Sequence, residues 1–208
     1  MSLFTGHDLT CIRGERRVFA GLGFSLAAGG ALLLTGPNGS GKSSLLRLMA
    51  GLGRPANGTI RWNGEDIAQD PETHNARLHY VGHGDALKPA LTAGENVAFW
   101  AAVRGGGDPI AGLAAFGVQR LGNVPGRFLS AGQRRRVNLA RLAAAPAPLW
   151  ILDEPATALD RESVAQLQEA VARHRAGGGL VVLSTHGGIE IAGAATLDLA
   201  PFAESTAA

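Results

Sequence analysis

The chain has no run of about 18 or more apolar residues, so no segment of it is long enough to cross a bilayer as a helix. His7, Asp8 and Arg13 interrupt its beginning where a signal sequence would need an apolar core, so it is expected to be neither secreted nor membrane-spanning on its own. A single cysteine, Cys11, excludes an internal disulfide and any cysteine-clustered metal site, and fits a reducing compartment. Cys11 itself reads as a structural strand residue. Lysine is scarce as well: Lys42 and Lys88 stand alone among 19 basic residues, so each of them is conspicuous. The 17 acidic residues almost cancel that charge, and a net charge of +2 gives no reason to propose a nucleic-acid surface. What is plentiful is apolar content, 46% of 208 residues, enough to bury the core of one domain spanning 1–208.

Short continuous apolar runs at 31–35, 149–152 and 180–184, with a fourth at 78–81, predict parallel strands buried on both faces. Helical patterns at 42–50, 89–103, 131–145 and 161–175 alternate with them, as in a wound α/β sheet. The opening segment to residue 24 and the stretch 58–63 predict short antiparallel strands. Residues 87–142 are mainly helical, interrupted by Gly105-Gly106-Gly107-Asp108-Pro109, and predict a helical subdomain inserted into the core. No internal repeat or heptad array is visible.

The octapeptide Gly36-Pro37-Asn38-Gly39-Ser40-Gly41-Lys42-Ser43 joins the first of these strands to the first helix, the structural context a phosphate-binding P-loop requires. Its glycines let the backbone wrap around phosphates and aim N–H groups at them, at the positive end of a helix. Lys42 is placed to reach the β- and γ-phosphates of a nucleoside triphosphate. Ser43, with Ser44 beside it, is placed to ligate magnesium.

Further along, Leu129-Ser130-Ala131-Gly132-Gln133 precedes the third helix, and Leu149-Trp150-Ile151-Leu152-Asp153-Glu154-Pro155 follows it. Ala158-Leu159-Asp160 and His186 come next. In this order the motifs resemble the signature, Walker B, D-loop and switch histidine of ABC-type ATPases, nearly end to end. The resemblance implies an α/β P-loop fold, with a mostly parallel core, an antiparallel β subdomain and the helical subdomain, and it implies ATP hydrolysis with Mg2+. It casts Asp153 with Ser43 as magnesium ligands, and Glu154, His186 and Lys42 as the catalytic set. Ser130, Gly132 and Gln133 would bind the γ-phosphate held by a second subunit, so the active form would be a homodimer. Ser130 and Asp160 also read as plain helix N-caps, and Arg134, Arg135 and Arg136 as a solvated helix face with one inward contact.

Two positions depart from the ABC pattern. No glutamine follows the strand at 78–81; His83 or Gly84 fills that place, and His83 is the expected nucleotide sensor. Where an aromatic ring commonly stacks on adenine stands Arg13, whose planar guanidinium could stack instead, with Phe19 as the other candidate. Ala131, Tyr80-Val81-Gly82-His83, Glu95-Asn96-Val97-Ala98-Phe99-Trp100 and Leu149-Trp150-Ile151-Leu152-Asp153 together resemble the ATP-binding subunits of the bacterial cytochrome c maturation system, the haem exporter family. That resemblance implies a peripheral subunit on the cytoplasmic face of the inner membrane, bound to integral membrane subunits; the apolar helical stretch 97–103 reads either as their docking neighbourhood or as plain subdomain core. The resemblance implies no nucleic-acid partner and no direct contact with haem.

Overall fold

In the computed structural model, which describes residues 3–203, the chain opens as a long hairpin of β1 (Leu3–Arg13) and β2 (Arg16–Ala27). β3 (Ala31–Thr35) runs through the glycine-rich loop into helix α1 (Lys42–Met49). β4 (Asn57–Trp62) and β5 (Glu65–Asp66) return to the hairpin and complete an antiparallel sheet in the order β2-β1-β4-β5. A short helix, α2 (Pro71–Ala76), leads to β6 (Leu78–Val81). Three helices follow: α3 (Ala93–Val103), α4 (Pro109–Ala115) and α5 (Ala131–Ala144). The chain then alternates through β7 (Leu149–Asp153), α6 (Arg161–Ala176), β8 (Leu180–Ser184) and β9 (Ala195–Asp198). These strands form a second sheet, ordered β6-β7-β8-β3-β9 and parallel throughout.

β7 and β8 are apolar at nearly every position because both faces of the parallel sheet are covered. On one face Leu149, Ile151, Leu180 and Val182 pack with Leu45, Leu46 and Met49 of α1 and with Phe4, Leu9 and Ile60 of the antiparallel sheet. On the other, Trp150, Leu152, Val181 and Leu183 pack with Val97, Leu113, Phe116, Val137, Leu139 and Leu167 from α3 to α6. The helical region thus shares its apolar core with that face of the sheet. Parallel register brings the carboxyl ends of the strands level: Asp153 pairs with Ser184, Leu34 with Ser184, and Val81 with Leu152. Loops leaving this edge are where ligands bind in open α/β sheets.

Three local expectations change. The helix expected over 89–103 begins at Ala93, because Thr92 and Glu95 close a reciprocal capping box and Asn96 binds the carbonyls of Lys88, Leu91 and Thr92. α4 arises where the sequence suggested a break, and α2 where it suggested no element. Asp70-Pro71 and Asp108-Pro109 each place a carboxylate cap before a proline at the first helical turn. β9 is a largely exposed edge strand without an apolar run.

Candidate functional site

The loop after β3 owes its shape to glycines that no other residue replaces. Gly36, Gly39 and Gly41 have φ of 127°, 80° and 100°. A methyl group at Gly41 would lie 2.7 Å from Val18 Cγ1 and 2.8 Å from Phe19 Cδ1, so the loop sits tightly on the β1–β2 hairpin. Ser40 is buried beneath it. α1 starts without a side-chain cap, which leaves its first N–H groups to an anion. Lys42 Nζ donates to the loop's own carbonyls, 2.7 Å to Gly36 O and 3.1 Å to Pro37 O. Burial pushes this ammonium below its usual pKa, and the charges of Glu154 and Asp153 partly offset that. The amine is therefore held over the loop, within a cleft lined by Asn38, Gly39, Gly41, Ser43, Ser44, Glu154 and His186.

Asp153 ends β7 in the interior, 3% exposed, and Ser184 Oγ donates to its Oδ1 at 2.7 Å. The same hydroxyl accepts the Glu154 N–H at 3.0 Å. Glu154 has φ 50°, a left-handed conformation that costs a non-glycine residue energy. That turn aims its carboxylate at the cleft, where Oε1 lies 2.8 Å from His186 Nε2. A carboxylate and an imidazole so joined can hold and polarise a water. Ser43 and Asp153 are hard oxygen donors of the kind magnesium takes, and both sit at the carboxyl edge of the sheet.

Arg13 lines the cleft together with Arg16 and Val18. Phe19 does not: it is fully buried and its ring packs under Gly41, so it is unavailable to a base. His83 and Gly84 are exposed and lie outside the cleft lining. Ser130 and Gln133 form a capping box at the start of α5, with Ser130 N donating to Gln133 Oε1 at 2.8 Å. Ser130 is exposed, and neither it nor Gly132 nor Gln133 lines the cleft of its own chain. Asp160 caps α6 through Ser163 N at 2.8 Å, and the Ser163 side chain together with that backbone bond lowers its carboxyl pKa.

Of the three arginines expected to form a solvated helix face with one inward contact, Arg135 is the inward one, and the sequence does not single it out. Arg135 is 3% exposed and spends its guanidinium on the backbone around Glu154 and Gly82. Sequence reasoning also missed Ser184. Both left a trace: Ser184 is the polar end of an apolar run beside Asp153 in parallel register, and Arg135 lies on the helical stripe of Leu139 and Leu142.

Comparison with known proteins agrees with this geometry. The family model described as ABC transporter matches residues 19–157. The chain is 59% identical over 208 residues to the cytochrome c biogenesis ATP-binding export protein CcmA of Paramagnetospirillum magneticum, covering 97% of this chain and 96% of that one. It is 61% identical over 204 residues to the protein of the same name from Rhodospirillum rubrum, covering 97% and 88%. Among solved structures, an ATP binding subunit of an ABC transporter superposes with a TM-score of 0.80 at 28% identity, over 88% of this chain and 79% of that one.

Proposed function

The chain belongs to the ABC transporter family, as an ATP-binding protein of the CcmA type, and from that premise we propose that it is the ATP-hydrolysing subunit of a membrane complex serving cytochrome c biogenesis. Its ATP cycle would drive haem export or the release of a haem-loaded chaperone. The loop amides and Lys42 bind the triphosphate, Lys42 leaving the Gly36 and Pro37 carbonyls for phosphate oxygens. Ser43 and Asp153 would hold Mg2+, which neutralises charge on the phosphate oxygens when bound. Glu154 orients the attacking water and takes its proton as the bond to the γ-phosphorus forms; ADP leaves with the electrons of the broken bond. His186 steadies that water and the carboxylate. Arg13 covers the base.

Ser130, Gly132 and Gln133 act on the nucleotide of a second copy. Ser130 is exposed, Gly132 and Gln133 are partly so, and all three lie away from their own cleft, which supports a site completed by two chains. No helix among the described residues is long and apolar enough to cross a membrane, so membrane contact runs through companion subunits. The face of α3 that carries Phe99 and Val103 is the proposed docking neighbourhood. Both are exposed, while Val97 and Ala101 turn into the core. His83, on the segment between β6 and α3, is proposed to relay nucleotide state to that neighbourhood.

The observation that carries the catalytic reading is the 2.8 Å contact between Glu154 and His186 in the cleft that Lys42 lines. Glu154→Gln tests it. The amide keeps size and hydrogen bonding but loses the base, so ATP affinity is retained while turnover falls about 100- to 1,000-fold. With ATP that variant accumulates as a dimer, and in membranes reconstituted with its companion subunits it fails to release the haem-loaded chaperone. Near-parental turnover would reject Glu154 as the base.

A further inference from the structure

Glu154 sits in a strained turn between Asp153 and Pro155, and the orientation of its carboxylate depends on the two peptide planes that flank it. The plane before it is held through Glu154 N, which donates to Ser184 Oγ at 3.0 Å, and through Asp153 O, which accepts from Arg135 Nη2 at 3.0 Å. The plane after it has no N–H to offer, because the next residue is proline. Its carbonyl, Glu154 O, accepts from the same Arg135 Nη2 at 2.7 Å and from Thr157 N at 3.2 Å. Arg135 Nε reaches one residue further, to Pro155 O at 3.2 Å. The guanidinium therefore grips three consecutive carbonyls around the φ 50° residue.

Its other arm points to the segment after β6. Nη1 donates to Gly82 O at 3.0 Å and meets Asp85 Oδ1 at 3.4 Å. All five N–H donors of the side chain are thus used, and the group is 3% exposed. A second arginine of the same helix braces the same strand. Arg141 donates to Tyr80 O while its guanidinium lies 4.4 Å from the Trp100 ring. α5 also begins at Ser130 and carries Gly132 and Gln133 in its first turn.

We propose that Arg135 is the positioning residue for Glu154: its planar fork fixes the strained turn so that the carboxylate faces the cleft, and its bonds to Gly82 and Asp85 make that alignment depend on the segment joining β6 to α3. This rests on the reading of Glu154 as the base. Arg135 does not reach the nucleotide cleft, so its effect falls on the chemical step and not on ATP binding.

The test compares steady-state ATPase turnover with the affinity for a fluorescent ATP analogue in the purified full chain. Arg135→Lys keeps the charge and the stem, but an ammonium has three N–H groups and no planar fork. Its turnover should fall about tenfold or more while nucleotide affinity stays within about twofold, as expected when a reacting group is displaced by a fraction of an ångström. Arg135→Ala leaves a guanidinium-shaped space. Where circular dichroism shows it folded, sub-denaturing guanidinium chloride should restore turnover, and ammonium chloride at equal ionic strength should not. Parental turnover in Arg135→Lys would overturn the proposal, and so would turnover and affinity falling together, or a folded Arg135→Ala that guanidinium does not rescue. Glu154→Gln in the same assay separates the two ideas: an inactive Glu154→Gln beside a parental Arg135→Lys removes the role of Arg135 alone.

Discussion

One hydroxyl, that of Ser184, serves both acidic residues of the site. It donates to Asp153 Oδ1 at 2.7 Å and accepts from Glu154 N at 3.0 Å, with no exposure to solvent. The arrangement is cheap in side chain and exacting in register, since it needs β8 to end level with β7. Ser184→Ala removes the partner of a buried carboxylate oxygen and of the part-buried Glu154 N–H together. Leaving such groups unpaired costs about 1–3 kcal/mol, so the variant should unfold at lower denaturant and turn over ATP more slowly. Ser184→Thr, which keeps the hydroxyl, should recover most of both. A Ser184→Ala protein with parental stability and turnover would show that Asp153 and Glu154 are held by other means.

At the level of elements, what the sequence reveals is what repeats locally. The parallel strands are legible because cover on both faces makes them continuous apolar runs, and the P-loop because its glycines are demanded by backbone shape. α2 and α4 are harder to read. With six and seven residues they are too short to build a periodic stripe, and the Asp-Pro pairs that start them also mark breaks. That Arg135 is the inward one of its three arginines is hidden for another reason. Its partners lie 18 to 53 residues away in the chain, and only the packing of α5 against β6 and β7 brings them together. The start of α3 shows the same non-local logic on a smaller scale. Asn96, buried in the second turn, accepts from Lys88 N at 2.8 Å and donates to Lys88 O, Leu91 O and Thr92 O at 3.2, 3.2 and 2.9 Å. It ties down the segment that the proposed docking face follows. Asn96→Ala should destabilise the protein by about 1–3 kcal/mol, and limited proteolysis should then open the chain between 86 and 92 ahead of any other site. Cleavage elsewhere first would mean that this loop is held by its capping box alone.

For the molecule as a whole, two buried histidines, His74 and His79, and the half-buried His174 are expected to limit how it tolerates acid. His79 is 2% exposed, with Nε2 bonded to Ala145 O at 2.9 Å. Burial lowers its pKa from 6.5 to about 3, and Arg104, Arg141 and His174 add to the effect against the single backbone bond. His74 and His174 are lowered too, in both cases chiefly by burial. The sign follows from which state binds the proton. Above pH 6.5 His79 is neutral in both states, and the stability it contributes as a neutral buried ring is fully present. As pH falls below that value the unfolded chain takes up the proton and the folded chain does not, until pH reaches about 3. Stability therefore declines through this window, by up to about 1.4 kcal/mol per pH unit for each such group. The lowered carboxyl pKa values of Asp70, Glu95 and Asp160 act in the same direction at lower pH, since these groups too bind protons more readily when unfolded. Denaturant unfolding followed across pH should give a flat midpoint above about pH 7 and a steady loss below about pH 6. His79→Gln, whose amide can still donate to Ala145 O, should lose part of that slope between pH 6.5 and its steeper acid limb. Slopes that stay parallel in the parent and His79→Gln would show that His79 is not held neutral in the fold, and the acid sensitivity would then belong to His74, His174 and the carboxylates.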